Sequence, residues 1–187
     1  TATTNNDGAF AFPNLTALTL ALTPSKTGWG FTPSRYDYAP LGGNKNNQDF
    51  RALVSPRVAT VGPGDELTLS LHPLSGDKNV LIGKNTFTEP VTLTLSEPTE
   101  FPDGPSDFAA LTGTRIGLQI DSSGNSQPTR DITLTLSYRD SDVAGVDENR
   151  LRIAFYDETS GKWVPLPSSP DPQNNTVTGK VRHLSLF

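Results

Sequence analysis

The sequence has 187 residues, 34% of them hydrophobic and 19% charged, with a formal net charge of −5. That acidic balance lacks the basic footprint of a nucleic-acid binder and argues against docking on an anionic membrane surface. The absence of cysteine excludes disulfides and thiolate metal sites, and no stretch approaches the roughly 18 apolar residues of a membrane span.

Polarity comes from Thr, Ser and Asn rather than from charge, and 16 Gly and 16 Pro leave little room for long helices. Apolar and polar residues alternate in chain order over Leu15 to Leu22, Glu66 to Leu71, Val91 to Ser96, Arg115 to Ile120 and Asp131 to Tyr138. The pattern continues over Leu151 to Asp157, Lys162 to Leu166 and Thr176 to Phe187. A period of two with one apolar face is what each strand of a two-sheet sandwich needs. Turn clusters such as "LGGNKNN", "GPGD", "SGDKN" and "DETSGK" separate the runs. The fold class expected is all-β: two antiparallel β-sandwich (Ig-like) modules, the first incomplete. Composition shifts near Arg51 to Ala59, from aromatics and Gly/Asn turns to Leu/Thr alternation, which places the modules at 1–52 and 53–187.

In the first module, "TTNNDGAFAFPNL", "LTLALTPSKTGWGFTPSRYDY" and "NQDFRA" follow one another. This order resembles the back half of carboxypeptidase-regulatory-like and collagen-adhesin B-type repeats of bacterial surface proteins. The resemblance covers residues 3 to 52 and lacks the one or two strands that open such repeats. A sandwich short of an edge strand exposes unpaired backbone groups, which a strand from another molecule can pair. The expected donor or acceptor edges are Thr1 to Phe12, with Thr3, Phe10 and Phe12 on the strand, and Val177 to Phe187, with Val181, Leu184 and Leu186. A sequence without methionine, even at position 1, reads as a processed chain or an excised fragment.

The second module carries Tyr156-Asp157, then "WVPL" from Trp163 to Leu166, then Asn175-Thr176-Val177, then His183-x-Ser185. Over residues 60 to 187 it resembles the β-sandwich domain shared by zonula occludens proteins, netrin receptors and ankyrins, in the variety found in bacterial exported proteins. Some members of that family cleave their own backbone within a His-Phe-Ser triplet, the serine hydroxyl attacking the preceding carbonyl. Alternation along one strand puts His183 and Ser185 on the same face, within reach of each other. Leu184 stands where the triplet has Phe, and the bland reading, a half-buried histidine in a terminal strand, outweighs cleavage at Leu184-Ser185.

Further candidates stand beside it. Asp140, Asp142, Asp147 and Glu148 crowd one loop around Gly145 and could offer oxygens to calcium, although the spacing is not that of an EF-hand. The plainer account is a turn with solvated carboxylates. Trp29, Phe31, Tyr36 and Tyr38 could stack sugars, or fill the core of the first module. Lys26 lies at a turn, not on the opening strand from which collagen-adhesin repeats form an isopeptide bond. Asn14 and Asn174 lie in N-x-Ser/Thr triplets. Together these features predict a non-catalytic extracellular structural or adhesive protein without an obligatory cofactor. Its partners would be copies of itself, joined head to tail in a filament, or neighbouring domains of a longer surface protein. Autoprocessing and carbohydrate binding are the rival functions.

Overall fold

A computed structural model describes residues 1–6, 8–15, 19–27, 29–103 and 116–187. The protein is all-β: among the described residues fourteen strands and only short 3-10 turns occur, every pairing whose register is described is antiparallel, and no helix is long and apolar enough to cross a membrane. The chain divides into two compact units, Thr1–Leu53 and Val54–Phe187.

The first unit holds β1 (Leu20–Leu22), β2 (Trp29–Thr32), β3 (Tyr36–Tyr38) and β4 (Arg51–Val54), the last residue of β4 passing into the second unit. β1 pairs with β3 and β2 with β4, each as a separate two-stranded sheet. None of the described residues of this unit is buried. Its aromatic side chains gather instead in a half-covered cluster: Phe10 lies 6.2 Å from both Phe12 and Phe50, and Tyr36 lies 5.1 Å from Phe50. The run from Leu15 to Leu22 yields a strand over its last three residues, and Thr16 to Leu18 fall outside the described residues.

The second unit begins with β5 (Arg57–Val61), β6 (Leu67–Leu71), β7 (Lys78–Ile82) and β8 (Val91–Ser96). It continues with β9 (Gln119–Ser122), β10 (Ile132–Ser137), β11 (Ala154–Asp157), β12 (Lys162–Pro165), β13 (Ser168–Asp171) and β14 (Thr176–Val181). One sheet has the order β13-β14-β10-β7-β6, a second the order β5-β8-β9, and β11 and β12 form a hairpin. Alternation sets the faces. In β8 and β10 every second residue is buried (Val91, Leu93 and Leu95; Ile132, Leu134 and Leu136), with Thr and Ser between them. Side chains from the five-stranded and three-stranded sheets meet in one hydrophobic cluster, where Leu95, Leu134, Val80 and Ile82 are 0% exposed. The outward faces carry hydroxyls paired across strands: Thr60 with Thr92 at 3.0 Å and Thr135 with Thr178 at 3.1 Å.

The final run departs from its expected form. Thr176 to Phe187 was to be one strand, but β14 ends at Val181 and the chain bends at Arg182 and His183. Leu184 to Phe187 then joins different neighbours. Leu118 and Phe187 exchange backbone hydrogen bonds at 2.9 and 2.8 Å, and Ile120 N–H donates to the Ser185 carbonyl at 3.0 Å. On the other side Tyr156 N–H donates to the Leu186 carbonyl at 2.9 Å. This short segment therefore ties the β9 side of the three-stranded sheet to the β11-β12 hairpin, and Phe187 is buried at its end.

Candidate functional site

The bend after β14 opens a groove of about 440 Å³ between the ends of β9 and β11. Asp121 and Ser122 line one wall, Tyr156, Asp157 and Glu158 the other, with His183 and Ser185 between them. The structure thus brings both residues of the candidate self-cleaving pair to one groove, although not along one strand.

The pair makes no hydrogen bond. Ser185 Oγ donates to the Tyr156 carbonyl at 2.9 Å. His183 Nε2 is sealed from solvent and has no hydrogen-bond partner among the described residues. Its ring packs edge-on against Phe155, 4.1 Å between centroids, and lies 6.0 Å from Phe187. Burial pushes the imidazole below its ordinary pKa, with the nearby Asp157 charge acting in the opposite direction. A serine becomes a nucleophile when a base takes its proton; here that proton is directed at a peptide oxygen. Wild type and Ser185→Ala should both run as uncleaved chains, differing in mass only by the hydroxyl oxygen, and the variant should lose about 1 kcal/mol of stability, the worth of one hydrogen bond. Intact-mass spectrometry checks this, and a Leu184-Ser185 product present in the wild type but absent in the variant would reverse the reading.

The acidic loop is taken up by protein donors. Arg139 holds Asp142 through Nε at 3.0 Å and Nη2 at 2.8 Å, which lowers the Asp142 pKa. Asn175 Nδ2 donates to Asp140 at 2.6 Å, and Asp147 accepts from the Asn149 backbone at 3.1 Å. Tyr138 donates to Glu148 at 2.7 Å; burial, reinforced by that bond, pushes the phenol up to about 12. The four carboxylates face four different partners, and the described residues contain no group of three or more His, Cys, Asp or Glu able to hold a metal ion.

The aromatic residues divide between sheets. Trp29 and Phe31 lie on β2, Tyr36 and Tyr38 on β3. Lys26 Nζ sits 4.5 Å over the Trp29 ring, a cation–π contact. Tyr36 donates to the Asp49 carbonyl at 3.0 Å and Tyr38 to Gln48. Their polar ends are used within the unit, and no single strand presents all four rings.

The proposed interface strands also fall elsewhere. Thr3, Phe10 and Phe12 lie outside strands. Val177 and Val181 are buried in β14, an inner strand held between β13 and β10. Leu186 is engaged on both sides, bridging Gln119 and accepting from Tyr156, and Leu184 N–H donates to Gln127 at 2.7 Å. Pairing of β14 on both sides closes that strand to a further partner.

Sequence reasoning missed Lys78, which is 0% exposed at the start of β7. Its Nζ donates to the carbonyls of Ser137 at 3.1 Å and Ser75 at 3.3 Å, and burial lowers its pKa to about 8 against the pull of Glu97, Asp142 and Asp77. Gly76 makes the approach possible. It has φ +100°, and a Cβ there would stand 2.7 Å from the Ser137 carbonyl oxygen.

No family model matches this chain, nor does any curated protein or any solved structure.

Proposed function

We propose that the chain is a non-catalytic extracellular structural or adhesive module, built of β-sandwich units, in which the first unit is completed by an added strand. One observation carries this. The second unit has a filled core, whereas no described residue of the first is buried. Isolated two-stranded sheets are marginal in water, and the strands of those in the first unit are only three or four residues long. A strand laid along one of their open edges would pair backbone groups and cover the Phe10, Phe12, Tyr36 and Phe50 cluster. Supplied by a neighbouring copy, it makes a head-to-tail contact that propagates as a filament. Supplied by the same polypeptide, it makes this a module within a longer surface protein. The motif resemblances and the uncharged, hydroxyl-rich strand faces support an extracellular setting.

The test pairs negative-stain electron microscopy with amide exchange on the chain at increasing concentration. Filaments that survive moderate denaturant, with first-unit amides protected only in the assembled fraction, are the expected result. Dispersed monomers with first-unit amides already protected would refute completion by an added strand. Dispersed monomers with those amides unprotected would assign the strand to the same polypeptide.

A further inference from the structure

We propose that His183 is an acid-sensitive latch, whose protonation releases the segment Leu184–Phe187 from β9 and β11. The segment is held by the buried Phe187 ring and by few polar groups. Besides the backbone bonds to Leu118, Ile120 and Tyr156, it has the Ser185 hydroxyl on the Tyr156 carbonyl and the Leu184 amide on Gln127. His183 stands at the bend where the segment begins, its ring against Phe155 of β11 and near Phe187 of the segment itself. The ring is therefore packed between the element that is gripped and the element that grips it.

A neutral imidazole tolerates this place because only one of its nitrogens must donate. The imidazolium must donate from both, and the buried Nε2 has no acceptor among the described residues. Charging the ring in place leaves a desolvated N–H unpaired, whereas swinging the bend outward returns it to solvent. The surrounding charges do not remove this penalty. Asp157 of β11 favours the cation, but its carboxylate already accepts from Ser160 Oγ at 2.6 Å and Thr159 N–H at 3.0 Å. Asp121 of β9 accepts from Gln119 at 2.8 Å, Arg182, the preceding residue, is paired with Asp131 at 3.0 Å, and Glu158 lines the groove. A phenyl face attracts a cation weakly, and desolvation remains the larger effect at His183.

The sign follows. A histidine whose pKa is depressed in the closed state supports closure fully above about pH 6.5, the value of a free imidazole. That support is lost as pH falls through 6.5 towards the lower value of the closed state. Opening is local, because the segment is only four residues long, is bounded by the bend and pairs through few backbone bonds.

Amide hydrogen exchange on the intact chain between about pH 7.5 and 5, corrected for intrinsic rates, tests the latch. Protection at Leu118, Ile120, Tyr156 and Phe187 should fall severalfold across the range while that of Leu134 stays constant. His183→Phe, which keeps a packed ring and removes the titration, should abolish the pH dependence. His72→Gln, altering the other histidine of the sequence, exposed and bonded to Asp77, should preserve it. Flat protection at the four amides, or an equal fall in His183→Phe, overturns the proposal. If His183→Phe does not fold, the ring titration of the wild type decides: its midpoint must coincide with that of the amide losses, and separate midpoints overturn the latch.

Discussion

Raising the pH from about 7 to about 10 stabilises the second unit by roughly 3 kcal/mol, and Lys78→Met abolishes the increase. The folded lysine titrates near 8, against 10.5 for an unburied lysine. Below 8 both states carry the proton, and the fold bears the full penalty of a buried ammonium. Between 8 and 10.5 the unfolded chain holds a proton that the folded chain has released, so stability rises with pH. The amine's surroundings agree: its two carbonyl acceptors match the two N–H groups of a neutral amine. Tyr138 sets the upper limit. Its folded pKa of about 12 exceeds the free value of 10.0, so stability is lost again as pH climbs through that interval, and the optimum lies near the crossing of the two effects. Urea titrations at a series of pH values read this directly. A wild-type profile flat from neutrality to pH 10 would mean that Lys78 is charged and compensated. The methionine variant leaves the Ser75 and Ser137 carbonyls unpaired, and at the alkaline end it should be about 1–3 kcal/mol less stable than the wild type.

Leu134→Ala costs the second unit about 2–5 kcal/mol, whereas Leu81→Ala stays within about 0.5 kcal/mol of the wild type. Leu134 is 0% exposed on β10, with β7 on one side and β14 on the other. Its removal opens a cavity that a strand hydrogen-bonded along both edges cannot collapse. Leu81 lies on β7, opposite Thr133, and is 44% exposed on the outward face. The two tryptophans separate the units as probes, Trp29 in the first and Trp163 in the second. Leu134→Ala should therefore shift the transition seen by Trp163 with an unchanged denaturant slope. Equal losses in the two variants would mean that the assigned register is wrong, since a slip of one residue exchanges the faces.

The strands that alternation revealed bury no charged or polar side chain. β8 begins and ends as expected, and β6, β10 and β12 lie within one residue of their runs. β7 was hidden because one of its inward positions is a lysine: Lys78, Val80 and Ile82 are the buried set, and a charged first member reads as a turn. β13, with the sequence SSPD, has no apolar signature; its proline fits because the strand is an edge. The groove was half legible. Residue spacing brought His183 and Ser185 near each other, but it assumed a continuous strand, and nothing local in "VRHLSLF" marks the bend that sends the segment to a different set of neighbours. That choice depends on slots offered by residues roughly 30 and 70 positions earlier, a tertiary preference that overrides periodicity.

The pairing of residues 184–187 also bears on the order in which the unit can form. Every strand they join precedes them, so a polypeptide emerging from a ribosome holds β9 and the β11-β12 hairpin without their common partner until these residues follow. Pairing between Leu118 and Phe187 closes one of the longest loops in the unit, and such closures slow folding. Until then the β9 edge and the pocket that receives the Phe187 ring are open to binding by other chains, which makes the nascent stage the period when a holding chaperone matters most.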